Sequence, residues 1–151
     1  HNKEPSGVVR QLREVPADQR VAAGLGVRGG SRVVVLERLG FADDRPVSLT
    51  RHYFPTQRLK GMLQALQATP RITEALRSVG VDDYLRLQTR VTARLPTQTE
   101  AGLLRMARNR PVLITENVNV DRGGKIVEFA TGCYLTPRVQ IVFDLLAEFS
   151  L

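Results

Sequence analysis

Apolar and polar residues alternate over several short segments of this chain, and the segments follow one another in the same order twice. Each run consists of a strand with period-two alternation, a short amphipathic helix and two further strands joined by a polar turn. The first run predicts strands over 7–15, 32–41 and 46–54 with a helix from Pro16 to Gly24, and the second predicts strands over 84–95, 112–120 and 125–134 with a helix over 97–107. The repeated order predicts two similar halves within one domain, with a ligand at their junction.

The segment between the two runs has helical periodicity. Residues 56–68 carry an apolar stripe that predicts a helix packed on the core, and its members are Leu59, Met62, Leu63 and Leu66. A second helix is predicted over 72–79, and a last apolar strand over 139–148. Because most neighbouring strands are joined by tight turns, the elements predict an α+β domain with a largely antiparallel sheet and flanking helices.

Charge and composition narrow the partners that this domain could have. The chain of 151 residues carries 22 Lys and Arg against 15 Asp and Glu, for a net charge of +7. The basic residues are scattered arginines, and aromatic residues make up only 5%, so no base-stacking platform is evident. These features favour a few arginines in a pocket for a phosphate- or carboxylate-bearing ligand over a nucleic-acid-binding module.

Several kinds of site are not predicted. No phosphate loop, dinucleotide fingerprint or nucleophile elbow is present, so no catalytic residue is assigned and an enzyme is not expected. Two histidines and one cysteine argue against a zinc site, and no cofactor is predicted. Cys133 is expected to be a small core residue in a cytoplasmic protein. No apolar run approaches the ~20 residues of a membrane-spanning helix, so no membrane partner is expected.

Polar residues interrupt the apolar strands at equivalent places in the two halves. A buried charge is costly unless it is paired, so two interpretations are open. These side chains could face solvent or pair with each other, as Arg38 with Glu128 and His52 with Tyr53 or a carbonyl, and Arg51 is expected in solvent. Alternatively, they bind a ligand, with arginines on an anionic group and a carboxylate on a hydroxyl or amine. The candidate binding residues are Arg38, Thr50, His52, Arg90, Glu128, Tyr134 and Arg138.

The order and spacing of these motifs resemble the UTRA effector-binding domain of GntR-family regulators, in the HutC subgroup. The resemblance lies in residues 36–38, 42–47, 52–55, 110–113 and 127–128, and it covers residues 8–148. Residues 88–94 together with His52-Tyr53-Phe54 look most like the phosphonate-utilisation regulators of that group.

The resemblance implies a chorismate-lyase-like fold and a small cytoplasmic metabolite as effector. By position, Arg38 resembles the family arginine that contacts an anionic group, and Glu128 resembles the glutamate that binds ligand hydroxyls. Tyr134 and Arg138 fall in a motif that follows this glutamate. Gly40 replaces a second family arginine, so an anion-bearing ligand other than a sugar phosphate is expected.

The domain organisation expected from this resemblance is a linker stub over 1–7 and an effector-binding domain over 8–151. We expect a homodimer that binds an anionic metabolite, namely a phosphonate, a phosphate ester or a carboxylate. Operator DNA would be bound only through an upstream winged-helix domain that this chain lacks. The alternative is an enzyme of the chorismate-lyase type, in which Arg38 and Glu128 act on an aromatic carboxylate.

Overall fold

The computed structural model describes residues 6–142 of the chain, except for the side chains of Ser6 and Arg138. Its strands are β1 (Ser6–Pro16), β2 (Arg32–Ala42), β3 (Arg45–Pro55), β4 (Tyr84–Arg94), β5 (Val112–Asp121) and β6 (Ile126–Leu135). Its helices are α1 (Gln19–Leu25), α2 (Met62–Ala68), α3 (Ile72–Ser78) and α4 (Gln98–Leu104), followed by a 3₁₀ turn at Thr136–Arg138. Of the strand predicted over 139–148, residues 139–142 have no regular structure, and the rest lies outside the described residues.

The six strands form one antiparallel sheet in the order β1-β2-β3-β6-β5-β4. Each half supplies three neighbouring strands, and the halves meet where β3 pairs with β6. At this central seam Leu49 lies opposite Cys133, and Tyr53 lies opposite Phe129. The structure therefore confirms the α+β class, the antiparallel sheet and the internal duplication of β-α-β-β halves.

The helices cover the two faces of the sheet unequally. Helices α1 and α4 lie on one face, where Leu25 packs with Val33 and Leu104 packs with Leu49. Helices α2 and α3 lie on the other face, where Leu36 packs with residues such as Met62. Their apolar contacts reach β1, β2, β3, the start of β4 and the start of β6. The apolar cluster under α2 and α3 includes no residue of β5 among those described.

The predicted helices are shorter in the structure than their apolar patterns suggested. The prediction of a helix over 56–68 is corrected, because residues 56–61 form turns and α2 starts only after Gly61, whose φ is +85°. Leu59 and Met62 are nevertheless buried, which confirms the core stripe. None of the described helices is long and apolar enough to span a membrane.

Helix α4 begins with the predicted capping box. The Thr97 side chain accepts a hydrogen bond from the Glu100 backbone N–H, and the Glu100 carboxylate accepts one from the Thr97 backbone N–H. Arg94 of β4 donates to both Glu100 oxygens, at 2.7 and 2.9 Å. These bonds, the Arg94 bond first, lower the pKa of Glu100 to about 2. The capping box therefore also joins α4 to β4.

Candidate functional site

A band of polar side chains crosses the α2/α3 face of the sheet. Register places them side by side, because residues directly opposite on paired strands point to the same face. Arg38 lies opposite Thr50, and Thr50 lies opposite Gly132, which lies opposite Thr115. We call this band the polar face, and its members are Arg38, Thr50, His52, Arg86, Thr115, Asn117, Asn119, Glu128 and Tyr134.

The Glu128 carboxylate is the centre of a hydrogen-bond network on the polar face. Glu128 is only 3% exposed. Its Oε2 lies 2.6 Å from His52 Nδ1, and its Oε1 accepts from Asn119 Nδ2 at 2.8 Å. Arg86 Nε in turn donates to Asn119 Oδ1 at 2.7 Å. His52 Nδ1 and Asn119 Nδ2 together contact both Glu128 oxygens, so the network fixes the position of a buried carboxyl group.

Arg38 lies beside this network and bonds to the backbone instead. Its guanidinium donates to the carbonyl of Pro70, in the connection between α2 and α3. Burial lowers the pKa of Arg38 from its ordinary value, but a guanidinium stays charged at any physiological pH. No Asp or Glu of the described residues forms an ion pair with it. The polar face thus carries a partly desolvated positive charge that an anion could neutralise.

Thr115 adds an unused hydrogen-bonding group to the polar face. It is 5% exposed, and its Oγ1 has no hydrogen-bond partner among the described residues. Most buried hydroxyls in folded proteins do have a partner, so this one lacks a bond that the described residues do not supply. The neighbouring Gly132 leaves room for the Tyr134 ring, since a Cβ at this glycine would lie 2.5 Å from the ring and 2.7 Å from Thr115 Oγ1. Gly132 therefore lets Thr115 and Tyr134 lie close together on the polar face.

The structure brings together five of the predicted binding residues and separates one from them. Arg38, Thr50, His52, Glu128 and Tyr134 share the polar face. Arg90, in contrast, lies opposite Glu116 and lines a cleft on the α1/α4 face with residues such as Arg20 and Phe129. The side chain of Arg138 lies outside the described part of the chain.

A bulge explains why strand alternation misplaced Arg90. Simple alternation puts Arg86, Gln88 and Arg90 on one face. The β4–β5 register skips Leu87, so that Arg86 pairs with Asn119 whereas Gln88 pairs with Val118. An extra residue in one strand places every following side chain of that strand on the opposite face of the sheet. Arg86 consequently joins the polar face, and Arg90 lies on the opposite one.

Two other pairings differ from expectation. Glu128 is bonded to His52 and Asn119 rather than to Arg38, and His52 is bonded to Glu128 rather than stacked on Tyr53 or bonded to a carbonyl. The polar-face roles of Arg86, Thr115 and Asn119 were not predicted from the sequence, because single polar residues in half-exposed strands are common. Within residues 6–142, no three His, Cys, Asp or Glu side chains are grouped as metal ligands would be.

Glu37 was not predicted to be a buried charge, and Arg51 is not the solvated residue that was expected. Glu37 lies on the α1/α4 face and is 1% exposed. Arg10 and Arg51 each donate to its carboxylate at 2.6 Å, and Gln11 donates at 3.4 Å. Both arginines come from strands that flank β2, so the pairing depends on strand register rather than on local sequence. This carboxylate is fully used by the protein itself.

The fold agrees with that of similar proteins. Residues 1–140 match the family described as the UTRA domain. The chain belongs to the UTRA domain family. Relatives of this UTRA domain include an HTH-type transcriptional regulator of Rhizobium meliloti, which is 31% identical over 145 residues that cover 89% of this chain and 59% of that protein.

The HTH-type transcriptional repressor PhnF of Mycolicibacterium smegmatis is also similar. It is 27% identical over 126 residues, which cover 83% of this UTRA domain and 51% of PhnF. A crystal structure of PhnF from Mycobacterium smegmatis superposes with a TM-score of 0.78 at 25% identity, over 91% of this chain and 61% of that one. The UTRA domain therefore spans between half and three-fifths of the length of these relatives.

These relatives are transcriptional regulators and not enzymes. They confirm the prediction of a UTRA-type effector domain of a GntR-family regulator with a chorismate-lyase-like fold. They also favour the sensor over the alternative of a chorismate-lyase-type enzyme.

Proposed function

We propose that this UTRA domain senses a small anionic metabolite, which binds on the polar face and controls operator binding by a winged-helix domain of the same protein. The observation that carries the proposal is Arg38, a partly buried cation that bonds to a backbone carbonyl rather than to a carboxylate. It lies in the same patch as the fixed Glu128 carboxylate and the Thr115 hydroxyl, which bonds to none of the described residues. A site with these groups suits a ligand that has an anion at one end and a donor at the other.

Each residue would have a distinct role in holding this effector. Arg38 would fork onto a phosphonate, phosphate ester or carboxylate, with Thr50 and Thr115 donating further hydrogen bonds. Glu128, held by His52, would accept from an amine or hydroxyl of the same ligand. Arg90 has no part in this site, and we leave Arg138 as a further candidate for the anionic end.

Effector binding also offers a route to allosteric control. Arg38 now bonds to Pro70, so an anion on Arg38 would compete with the contact that ties the α2–α3 connection to the sheet. A ligand that favours one arrangement of this connection shifts the population of the two states. Because PhnF and the Rhizobium meliloti relative are HTH-type regulators, we propose that this shift alters DNA binding by an attached helix-turn-helix domain in the cytoplasm.

Truncating Arg38 should remove most of the affinity for anionic ligands. In titration calorimetry with aminoethylphosphonate, methylphosphonate, inorganic phosphate and a sugar phosphate, Arg38→Ala should weaken every detectable binding about 10- to 100-fold, as expected for a lost charge-assisted hydrogen bond. Glu128→Gln should weaken only those ligands that carry an amine or hydroxyl, since methylphosphonate has no donor for the carboxylate.

Arg71 provides a matched control for this experiment. It follows Pro70 directly, and its side chain is 80% exposed. Arg71→Ala removes the same charge from the same region and should leave affinities within about twofold. If Arg38→Ala and Arg71→Ala behave alike, the polar face is not the effector site.

We further propose that the domain forms a homodimer through the β4 edge. Among the described residues, the outer edge of β4 pairs with no strand, and its exposed apolar side chains are Leu85, Leu87 and Val91, followed by Leu95. An exposed apolar edge strand is a ready surface for pairing with another chain.

A charge on this edge should dissociate the dimer. Leu87 is 63% exposed. A monomer should therefore tolerate Leu87→Lys, whereas a packed interface should not. In sedimentation velocity the wild type should be dimeric, Leu87→Lys should be monomeric, and Val8→Lys on the opposite edge should remain dimeric. A monomeric wild type, or a Leu87→Lys variant that remains dimeric, contradicts this interface.

A further inference from the structure

A second cleft with a strongly basic lining lies at the end of α4. It has a volume of about 530 Å³, which is within the range of small-molecule sites. Three arginines line it, Arg45, Arg105 and Arg110, and no acidic side chain of the described residues does. We propose that this cleft, which we call the α4 cleft, is a second anion-binding site for a phosphate ester that carries an apolar group, separate from the polar face.

No described residue neutralises the three arginines of the α4 cleft. In residues 6–142, none of them takes part in an ion pair or a side-chain hydrogen bond. Three positive charges around one concavity repel each other, and the concave wall strengthens the field between them. The carbonyl end of α4 also lies here, but a helix end supplies only about half a negative charge. The cleft therefore has a clear surplus of positive charge.

The internal repeat supplies a natural comparison for the α4 cleft. The equivalent cleft of the first half lies at the end of α1 and is lined by Gly26, Val27 and Arg58, among others. There, Arg58 donates to the carbonyl oxygens of Leu25, Gly26 and Ile126, at 2.9 to 3.2 Å. That cleft is also lined by three arginines, Arg28, Arg32 and Arg58. Arg58 closes the end of a helix and Arg32 lies 3.6 Å from Glu14, whereas none of the three arginines of the α4 cleft has a side-chain partner among the described residues.

Backbone strain at Arg105 points to a use for its side chain. Helix α1 ends at Gly26 with φ +67°, whereas α4 ends at Arg105 with φ +52°. Glycine adopts this left-handed conformation without an energetic penalty, whereas a residue with a Cβ adopts it only at a cost in free energy. The second half therefore tolerates an arginine at a position where the first half has glycine, and such strained residues concentrate at functional sites.

The rest of the lining indicates the class of ligand. The apolar residues Pro46, Leu104, Met106 and Leu135 also line the cleft. A bare inorganic ion would leave this surface in water, whereas a nucleoside or aryl phosphate would cover it while its phosphate engages the guanidinium groups. The expected order of affinity is therefore a nucleoside monophosphate above inorganic phosphate.

Arg105→Gly tests the site without harming the fold, since it installs the residue that the first half carries at the same place. Binding of adenosine monophosphate and of inorganic phosphate would be measured by calorimetry at constant ionic strength. We expect saturable binding of the nucleotide, an affinity at least about 10-fold lower in Arg105→Gly, and an unchanged or higher melting temperature.

Two control variants distinguish the α4 cleft from general charge attraction and from the polar face. Arg108 lies in the same loop but does not line the cleft, so Arg108→Ala should change the affinity by less than about twofold. Arg38→Ala should leave the affinity for adenosine monophosphate unchanged, because Arg38 does not line this cleft, although it should weaken the binding of inorganic phosphate on the polar face. Absence of saturable binding, or equal losses in Arg105→Gly and Arg108→Ala, would overturn the α4 cleft as a binding site. A loss in Arg38→Ala alone would overturn it too, since the nucleotide would then bind on the polar face.

Discussion

Replacing Gly24 by alanine should destabilise the domain by about 2 kcal/mol, because the added methyl group has no space. Gly24 lies within α1, and a Cβ at this position would meet three ring carbons of Phe129 at 2.4 to 2.7 Å. Phe129 is buried, and its ring lies 6.2 Å from that of Tyr53 at the central seam. To make room, α1 would have to move away from the sheet. The loss should outweigh the gain of up to ~1 kcal/mol in helix propensity.

Gly102 is the control that isolates this packing effect. It lies within α4, and a Cβ there would meet nothing within 4 Å. Gly102→Ala should therefore stabilise the domain by about 0.5–1 kcal/mol through helix propensity alone. Equilibrium unfolding in urea would measure both variants. If Gly24→Ala is also stabilising, the close approach of α1 to Phe129 does not exist in solution.

Glu37→Gln should have the larger effect, a loss of about 3 kcal/mol in the free energy of unfolding. The amide keeps the size of the side chain but removes the charge that Arg10 and Arg51 both bind at 2.6 Å. The amide nitrogen is itself a hydrogen-bond donor, so it would face the guanidinium of Arg10 or Arg51 with no acceptor between them. Because each arginine is about one-third exposed and can turn to solvent, the loss should lie near the lower end of what is typical for a broken buried pair.

Glu116 occupies the equivalent position on β5 and is the matched control. Its side chain is 26% exposed, and Arg20 Nε donates to it at 2.7 Å. Glu116→Gln should cost at most about 1 kcal/mol, as is usual for an exposed ion pair. Urea unfolding of the two variants should therefore give clearly different midpoints with similar slopes. Equal midpoints would mean that the Glu37 cluster contributes no more than a surface pair.

Two of the three buried glutamates, Glu37 and Glu128, differ in the partners that hold their carboxyl groups. The Glu37 carboxylate is neutralised by two arginines of the protein, so nothing remains for a ligand. Glu128 is held by the neutral Asn119 amide and the His52 ring, and the nearby Arg38 pairs with no carboxylate of the described residues. The candidate site therefore differs from a structural cluster in having a charged side chain, Arg38, that pairs with no carboxylate of the described residues. Burial alone does not distinguish the two.

Much of the architecture was predictable because it depends on local patterns. Alternation, turn residues and the capping box at Thr97 and Glu100 are properties of neighbouring residues, and the structure confirms the six paired strands that they indicated. The duplication was also visible, since each half repeats its own local signals. Helix lengths were less predictable, because α2 starts after Gly61 and α4 ends at Arg105 through backbone conformations that apolar spacing does not encode.

The composition of the candidate site depended on the folded chain. The β4–β5 register skips Leu87. Arg86 therefore lies beside Asn119, whereas Arg90 lies on the opposite face of the sheet. In the same way, Gly24 and Gly102 are alike as glycines in short helices, and only the proximity of Phe129 distinguishes them. Local sequence was sufficient for six strands, four helices and a largely antiparallel sheet in the part of the chain that the structure describes. Which residues meet was set by strand register and close packing, because both arise from contacts between residues far apart in the chain.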